Sequence, residues 1–178
     1  MQKLYNEQDF RFHTAGYDVA QICLNGHVTN DSVLRRPQYN EKYCERCGKP
    51  TITECPKCKA PIRGHLNSEY INMIDPIESP RFCVACGNPF PWFETKIEAA
   101  KELADIHLDL NEEERELLRT SVDDLILDNA KSQVAALKIK PLIKKFKQGA
   151  KDPAYKLLIE ITSSTIAKII TINTGIGS

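Results

Sequence analysis

What this chain lacks narrows its reading first. It has no excess of either charge, with 24 Lys and Arg against 24 Asp and Glu, so no global field draws it to nucleic acid or anionic lipid. The N-terminal stretch MQKLYNEQDFRFHTAGYD contains none of the apolar core of a signal peptide. No apolar run is long enough to span a bilayer, and the longest candidate, LLIEITSSTIAKIITI, is broken by Glu160 and Lys168. There is no H-E-x-x-H metalloprotease motif, and no H-x-E partnered with P-C-x-x-C as in the deaminases. Nor is there a Ser/His/Asp set, a phosphate-cradling glycine loop, or a carboxylate pair distinct from the helical charge pattern. These absences predict a soluble, cytoplasmic and non-enzymatic protein.

Composition then divides the chain. All seven cysteines lie before residue 87 and eight of the ten prolines before residue 92. Beyond Trp92 come stretches rich in Ala, Leu, Ile, Glu and Lys, interrupted only by Pro141 and Pro153. A boundary at PFPWFE, residues 89 to 94, separates a metal-built front half, 1–93, from a helical back half, 94–178.

Six of the cysteines form C-x-x-C pairs: Cys44/Cys47, Cys55/Cys58 and Cys83/Cys86. In a reducing compartment such pairs are metal ligands before they are disulfides. YCERCGKP and FCVACGNP share an aromatic, C-x-x-C, Gly and Pro, and each follows an earlier ligand pair. The seventh cysteine, Cys23, finds its partner through this repeat. His27 stands four positions on, where a second cysteine would complete a knuckle, and Gly26 suits the turn between them. His13 and His65 are the competing imidazoles. Cys23, His27, Cys44 and Cys47 then make one tetrahedral site, and Cys55, Cys58, Cys83 and Cys86 a second. The eight ligands predict two zinc ions per chain, with iron as the alternative at the all-cysteine site. Repetition of whole knuckle pairs favours sequential ribbons over a cross-braced, RING-type pairing. YDVAQIC and PTITEC supply the hairpin strands, and HLNSEYINMIDPIESP is an inserted loop within the second unit.

The segments QICLNGHV, YCERCGKPTITECPKCKAPIRG and RFCVACGNPFPW resemble an uncharacterised bacterial family with a double zinc ribbon at its N-terminus. The resemblance is close over the front half and loose over the helical tail. It implies the ribbon fold and the metal ligands, with His27 at the family's NGH position, and supplies no reaction. The expected fold is a small, zinc-bound, β-rich double ribbon of tandem rubredoxin-like knuckles, followed by an all-α helical bundle.

A fully ligated, thiolate-rich ion is a weak Lewis acid without an open position, so both sites read as structural. The front half carries almost no net charge, and seven thiolates on two zinc ions add a formal charge of about −3. That disfavours a phosphate-binding surface, although Arg46, Lys49, Lys57, Lys59 and Arg63 remain as a local patch. The expected partner is a protein, or a second copy engaged through the C-terminal helices. Nucleic-acid association is the alternative, and a RING-like or redox role is the third. Phe90, Trp92 and Phe93 are read as packing between ribbon and helices rather than as a recognition patch.

In the back half, Ile97, Ala100, Leu103, Ala104 and Ile106 mark a helix over 94–110. Asn111 before EEER is a cap. Leu118, Val122, Leu125, Ile126 and Ala130 extend a second apolar stripe. Ile139, Leu142, Ile143 and Phe146 form a third, in a segment that Pro141 must start or kink. Asp152-Pro153 opens a last helix with Leu158, Ile161, Thr165, Ile169 and Ile172 on one face. Three to five helices are expected. Residues 94–128 are strongly acidic and 129–178 strongly basic, so antiparallel packing would bring opposite charges together. LKIKPLIKKFKQGAK is the sharpest basic feature, read as a core-facing segment with a solvated face ahead of a membrane or nucleic-acid contact.

Overall fold

The computed structural model describes residues 16–66 and 77–171. The chain forms two compact units, Met1–Phe93 and Glu94–Ser178. The front unit is a set of short strands organised by two Cys/His clusters, and the back unit is helical.

The first strands are β1 (Tyr17–Val19), β2 (Gln21–Cys23) and β3 (Val28–Asn30), followed by β4 (Thr51–Ile52) and β5 (Arg63–Leu66). YDVAQIC is therefore two strands parted at Ala20. β1 pairs antiparallel with β5 in one small sheet, and β2 is the centre of a second sheet in the order β3-β2-β4. No sheet closes among the described residues. The buried apolar side chains here are few: Val19, Ala20, Ile22, Ile62, Phe90, Trp92 and Phe93. Asp18 is fully buried as well. Its carboxylate accepts hydrogen bonds from the backbone N–H groups of Leu34 (3.0 Å) and Arg35 (3.3 Å) and from Arg35 Nε (3.1 Å), so the segment after β3 is anchored on a satisfied charge. The inserted loop begins within β5, and its residues 67–76 lie outside those described.

Five helices follow among the described residues. α1 (Pro91–Asp105) starts on a proline, whose fixed φ suits the first helical position. α2 (Glu112–Leu125) is capped by Asn111, whose side chain accepts from the Glu114 N–H while Glu114 accepts from the Asn111 N–H. α3 (Ala130–Ile143) is capped in the same way by Asn129 and Ser132. α4 (Pro153–Ile161) opens on Asp152, whose Oδ1 accepts from Ala154 at 2.9 Å. α5 (Ser164–Thr171) completes the unit. α3 packs on both α2 and α5. Their core holds Leu118, Val122, Leu125, Ile139, Ile143, Leu158, Ile161, Ile166 and Ile170.

Four details differ from the sequence reading. α1 ends at Asp105, one residue short of Ile106, which is 67% exposed instead of buried. The second stripe stops at Leu125. Asp128 adopts a left-handed backbone with φ +50° and Asn129 caps a new helix, so Ala130 begins α3. Pro141 does not start its segment. It sits inside the last turn of α3, where the single intrahelical bond it forfeits is near the helix end. The last helix is two helices, because Thr162 is extended and Ser163 caps a restart, its Oγ accepting from the Ile166 N–H at 3.3 Å. The restart shifts the phase of the apolar face. Ile166 and Ile170 are buried, Ile169 is half-buried and Thr165 is exposed, while Ile172 lies outside the described residues.

The expected charge attraction is present. Lys145, just beyond α3, pairs with Glu114 in the first turn of α2, and Lys147 Nζ lies 2.8 Å from Asp109. Two of the lysines of the basic segment are thus engaged by the acidic one, across an antiparallel α2–α3 hairpin. Between these elements His107 is clamped. Its ring stacks on Phe146 with centroids 3.9 Å apart, and its Nε2 lies 3.2 Å from Asp152 Oδ2.

Candidate metal centres

Four knuckles position the ligands, three of them of one local design. In the three C-x-x-C knuckles the N–H of the first cysteine donates to the carbonyl five residues on, from Cys44 to Lys49, Cys55 to Ala60 and Cys83 to Asn88, at 2.8–2.9 Å. The residue after the second cysteine donates back to the carbonyl of the first. Flanking residues close each knuckle as an antiparallel bridge, Tyr43 with Pro50, Glu54 with Pro61 and Phe82 with Pro89. The chain reverses on a left-handed residue directly after the second cysteine: Gly48 (φ +69°), Lys59 (+65°) and Gly87 (+72°). Glycine takes this conformation without strain, whereas Lys59 holds it at a cost of roughly 1–2 kcal/mol.

The first knuckle is one residue tighter. The Cys23 N–H donates to His27 O at 2.9 Å, and the left-handed glycine, Gly26 (φ +86°), precedes the second ligand instead of following it. The C-x3-H spacing thus has a backbone cause, because the turn is completed before the ligand and the longer imidazole reaches back. A side chain at Gly26 is disfavoured twice, by its φ and by Trp92, whose Cβ would lie 3.0 Å from an added Cβ and would have to shift. This accounts for the aromatic residues after the last knuckle. Trp92 is buried, stacks on Phe90 at 4.7 Å, and donates from Nε1 to Pro80 O at 2.8 Å. All of these contacts lie within the front unit.

Cys23, His27, Cys44 and Cys47 come together in one cluster, and Cys55, Cys58, Cys83 and Cys86 in another. In each, all four ligand atoms lie within 4.8 Å of one another. The pairing is sequential, ribbon by ribbon, and not cross-braced. His65 lies outside both clusters, with its Nδ1 3.2 Å from Leu66 O, and His13 is outside the described residues. The sulfur–sulfur separations are 3.7 Å for Cys23 and Cys47, 3.9 Å for Cys55 and Cys86, and 3.7 Å for Cys58 and Cys83. A tetrahedral ion with metal–sulfur bonds of about 2.3 Å requires edges of about 3.8 Å. Cys44 Sγ lies 3.6 Å from His27 Nδ1, against about 3.6 Å for a mixed sulfur–nitrogen edge. Imidazole Nδ1 is therefore the atom that His27 offers. The first cysteine of every knuckle is buried and the second ligand faces outward.

Proton affinities within the clusters diverge. The Lys49 N–H holds the Cys47 thiol down at about 6, aided by His27 and the two sulfurs beside it. Asn88 does the same for Cys86, also at about 6, through its side-chain amide and its backbone N–H. The Ala60 N–H lowers Cys58, but desolvation and three neighbouring sulfurs outweigh it and push the thiol up to about 12. Burial raises Cys23. Crowded thiols cannot all ionise without a cation. A metal ion that takes them as thiolates therefore releases protons as it binds.

Sequence reasoning missed what supports these ligands: the left-handed Lys59, the tighter first knuckle and the Trp92 contact under Gly26. The left-handed site after each C-x-x-C pair could have been found from the glycines at 48 and 87, whereas the Trp92 contact is non-local.

Both clusters could hold a metal ion, and no helix among the described residues is long and apolar enough to cross a membrane. No curated protein and no solved structure matches the chain. The model of a family described as uncharacterised proteins conserved in bacteria, DUF2321, matches residues 16–170, and the chain belongs to that family.

Proposed function

We propose that this is a zinc-binding, non-enzymatic interaction protein of the cytoplasm, in which two structural zinc ions stiffen a double ribbon that a protein partner reads. One observation carries the reading: in each cluster four protein ligand atoms lie within 4.8 Å of one another, and the sulfur–sulfur separations of 3.7 and 3.9 Å match tetrahedral edges. An ion held there has no position left for water or substrate. Zinc is favoured over iron because a three-thiolate, one-imidazole companion site suits it, and thiolate ligation accords with a reducing compartment.

The partner is a protein for two reasons. The aromatic residues that would stack on bases, Phe90, Trp92 and Phe93, are buried, and Lys145 and Lys147 of the basic segment are engaged by carboxylates. Tyr39 and Tyr43, by contrast, are 58% and 55% exposed beside the first ribbon, and tyrosine is a favoured protein-contact residue. Sequential pairing supports a ribbon over a RING-type ligase module.

Elemental analysis of the purified chain tests the proposal, with two zinc per chain expected. A single equivalent, or mostly iron, overturns it. Titration of labelled duplex DNA and single-stranded RNA should show no salt-sensitive binding, and a steep salt dependence would transfer the role to nucleic acid.

A further inference from the structure

The outer face of the α2–α3 hairpin combines exposed apolar side chains with charges of both signs that form no ion pair among the described residues. Large apolar side chains stand in solvent there: Leu117 is 36% exposed, Val134 52% and Leu137 57%. Leu117 and Val134 line an open groove between the two helices, with Thr120 and Ala135 beside them. The charges at this face are also unmatched. Asp124 on the α2 wall and Lys131 and Lys138 on the α3 wall line the groove, and Glu113 lies one turn before Leu117 on the same side of α2. None of the four forms an ion pair among the described residues, so all four are available to charges on a second copy.

We infer that this face is a self-association surface, on which a second copy of the chain docks through the same face about a two-fold axis. The argument is one of complementarity within a single surface. Free acids lie on α2, free lysines on α3, and an apolar floor lies between them. A two-fold operation can bring the acidic wall of each copy to the basic wall of the other while the apolar floors meet. The product is a four-helix arrangement built from two hairpins, in which exposed Leu117, Val134 and Leu137 become core. A foreign partner would have to supply this same alternation of acid, apolar and base, and a second copy already has it. Burial of the apolar residues supplies affinity, and the charges select orientation and speed encounter. The inference extends the reading of the chain as an interaction protein and rests on it, but the surface lies wholly in the helical unit and includes none of the candidate metal ligands.

Sedimentation velocity with light scattering on the full chain, zinc content being measured on every sample, tests it with two variants. Lys131→Glu with Lys138→Glu makes both walls acidic, and Glu113→Lys with Asp124→Lys makes both basic. The parent should be a dimer at high micromolar concentration. Each variant alone should associate about a hundredfold more weakly or not at all, because like charges then face each other. An equimolar mixture of the two should dimerise again, and a variant that merely misfolds would not. A parent that stays monomeric while carrying two zinc ions overturns this inference and leaves the metal reading standing. Variants that dimerise as well as the parent, or a mixture that remains monomeric, overturn it too.

Discussion

Of the largest fully buried side chains, Ile22 and Ile62 lie in the front unit, whereas Leu118, Val122, Leu125, Ile139, Ile143, Leu158, Ile161, Ile166 and Ile170 lie in the back. The two units are of similar length, so the difference is one of means. Strands of two to four residues in the front bury too little apolar surface to offset the entropy of ordering them. Their order comes from the knuckles, each a short hydrogen-bonded loop whose ligands converge on one point. The back unit needs no such centre, because helices with one apolar face gain stability by packing together. Under the proposed function, one chain contains a half whose stability is conditional on metal and a half whose stability is not.

The largest break in this contrast should come from a ligand. Cys44→Ser should lose the first ion and unfold the first ribbon, since a structural zinc site contributes on the order of 10 kcal/mol. The second ion and the helical signal should remain, giving one zinc per chain and an intact far-ultraviolet helix spectrum. The reciprocal experiment is Ile161→Asp with Ile170→Asp. Both residues are fully buried, so two unpaired charges in the core should cost several kcal/mol, on the order of 2–5 each. The tail should become protease-sensitive while metal content stays at two. Ile170 rather than Ile169 is the residue to change, because the restart at Ser163 turns Ile169 only half inward.

A smaller effect sharpens the account of the knuckles. Gly87 has φ +72°, and nothing lies within 4 Å of an added Cβ. Gly87→Ala should therefore reveal backbone strain alone, costing about 1 kcal/mol, seen as a lowered thermal midpoint of the zinc-loaded ribbon with two zinc retained. The smallest effect belongs to the surface charges of the tail. Lys147 holds Asp109, and Lys145 holds Glu114, below the ordinary carboxylate range. A depressed folded pKa favours the folded state above the unfolded value and loses that contribution as pH falls through the folded one. Acidification below about pH 4.5 should therefore weaken the tail slightly, and Lys147→Ala should flatten that part of the profile in a pH series of thermal melts. The tail's response should be shallow beside that of the ribbons, where protons compete directly with the metal for the thiolate and imidazole ligands.

How much of this was legible in sequence follows the same division. C-x-x-C fixes ligand geometry within a few residues, so the grouping of Cys55, Cys58, Cys83 and Cys86 could be read from spacing, and the repeat carried Cys23 and His27 with it. The helices were legible as apolar periodicity, but their ends were not. Ala130 stands four residues after Ile126, in phase with the preceding stripe, and only the left-handed Asp128 and the Asn129 cap reveal that the helix has ended. The break at Thr162 and Ser163 was hidden likewise, because Leu158, Ile161, Thr165 and Ile169 continue a plausible helical face across it. The stacking of His107 on Phe146 and its pairing with Asp152 join residues far apart in sequence. No local pattern announces such a pair.

Hydrogen exchange on the full-length chain, before and after zinc is removed with a chelator, tests the central contrast most directly. Amides within 16–66 and 77–90 should lose protection on chelation, including the knuckle bonds of Cys44, Cys55 and Cys83. Amides of α2 to α5 should keep theirs. Ribbons that stay protected without metal would contradict the account, as would helices that open together with them.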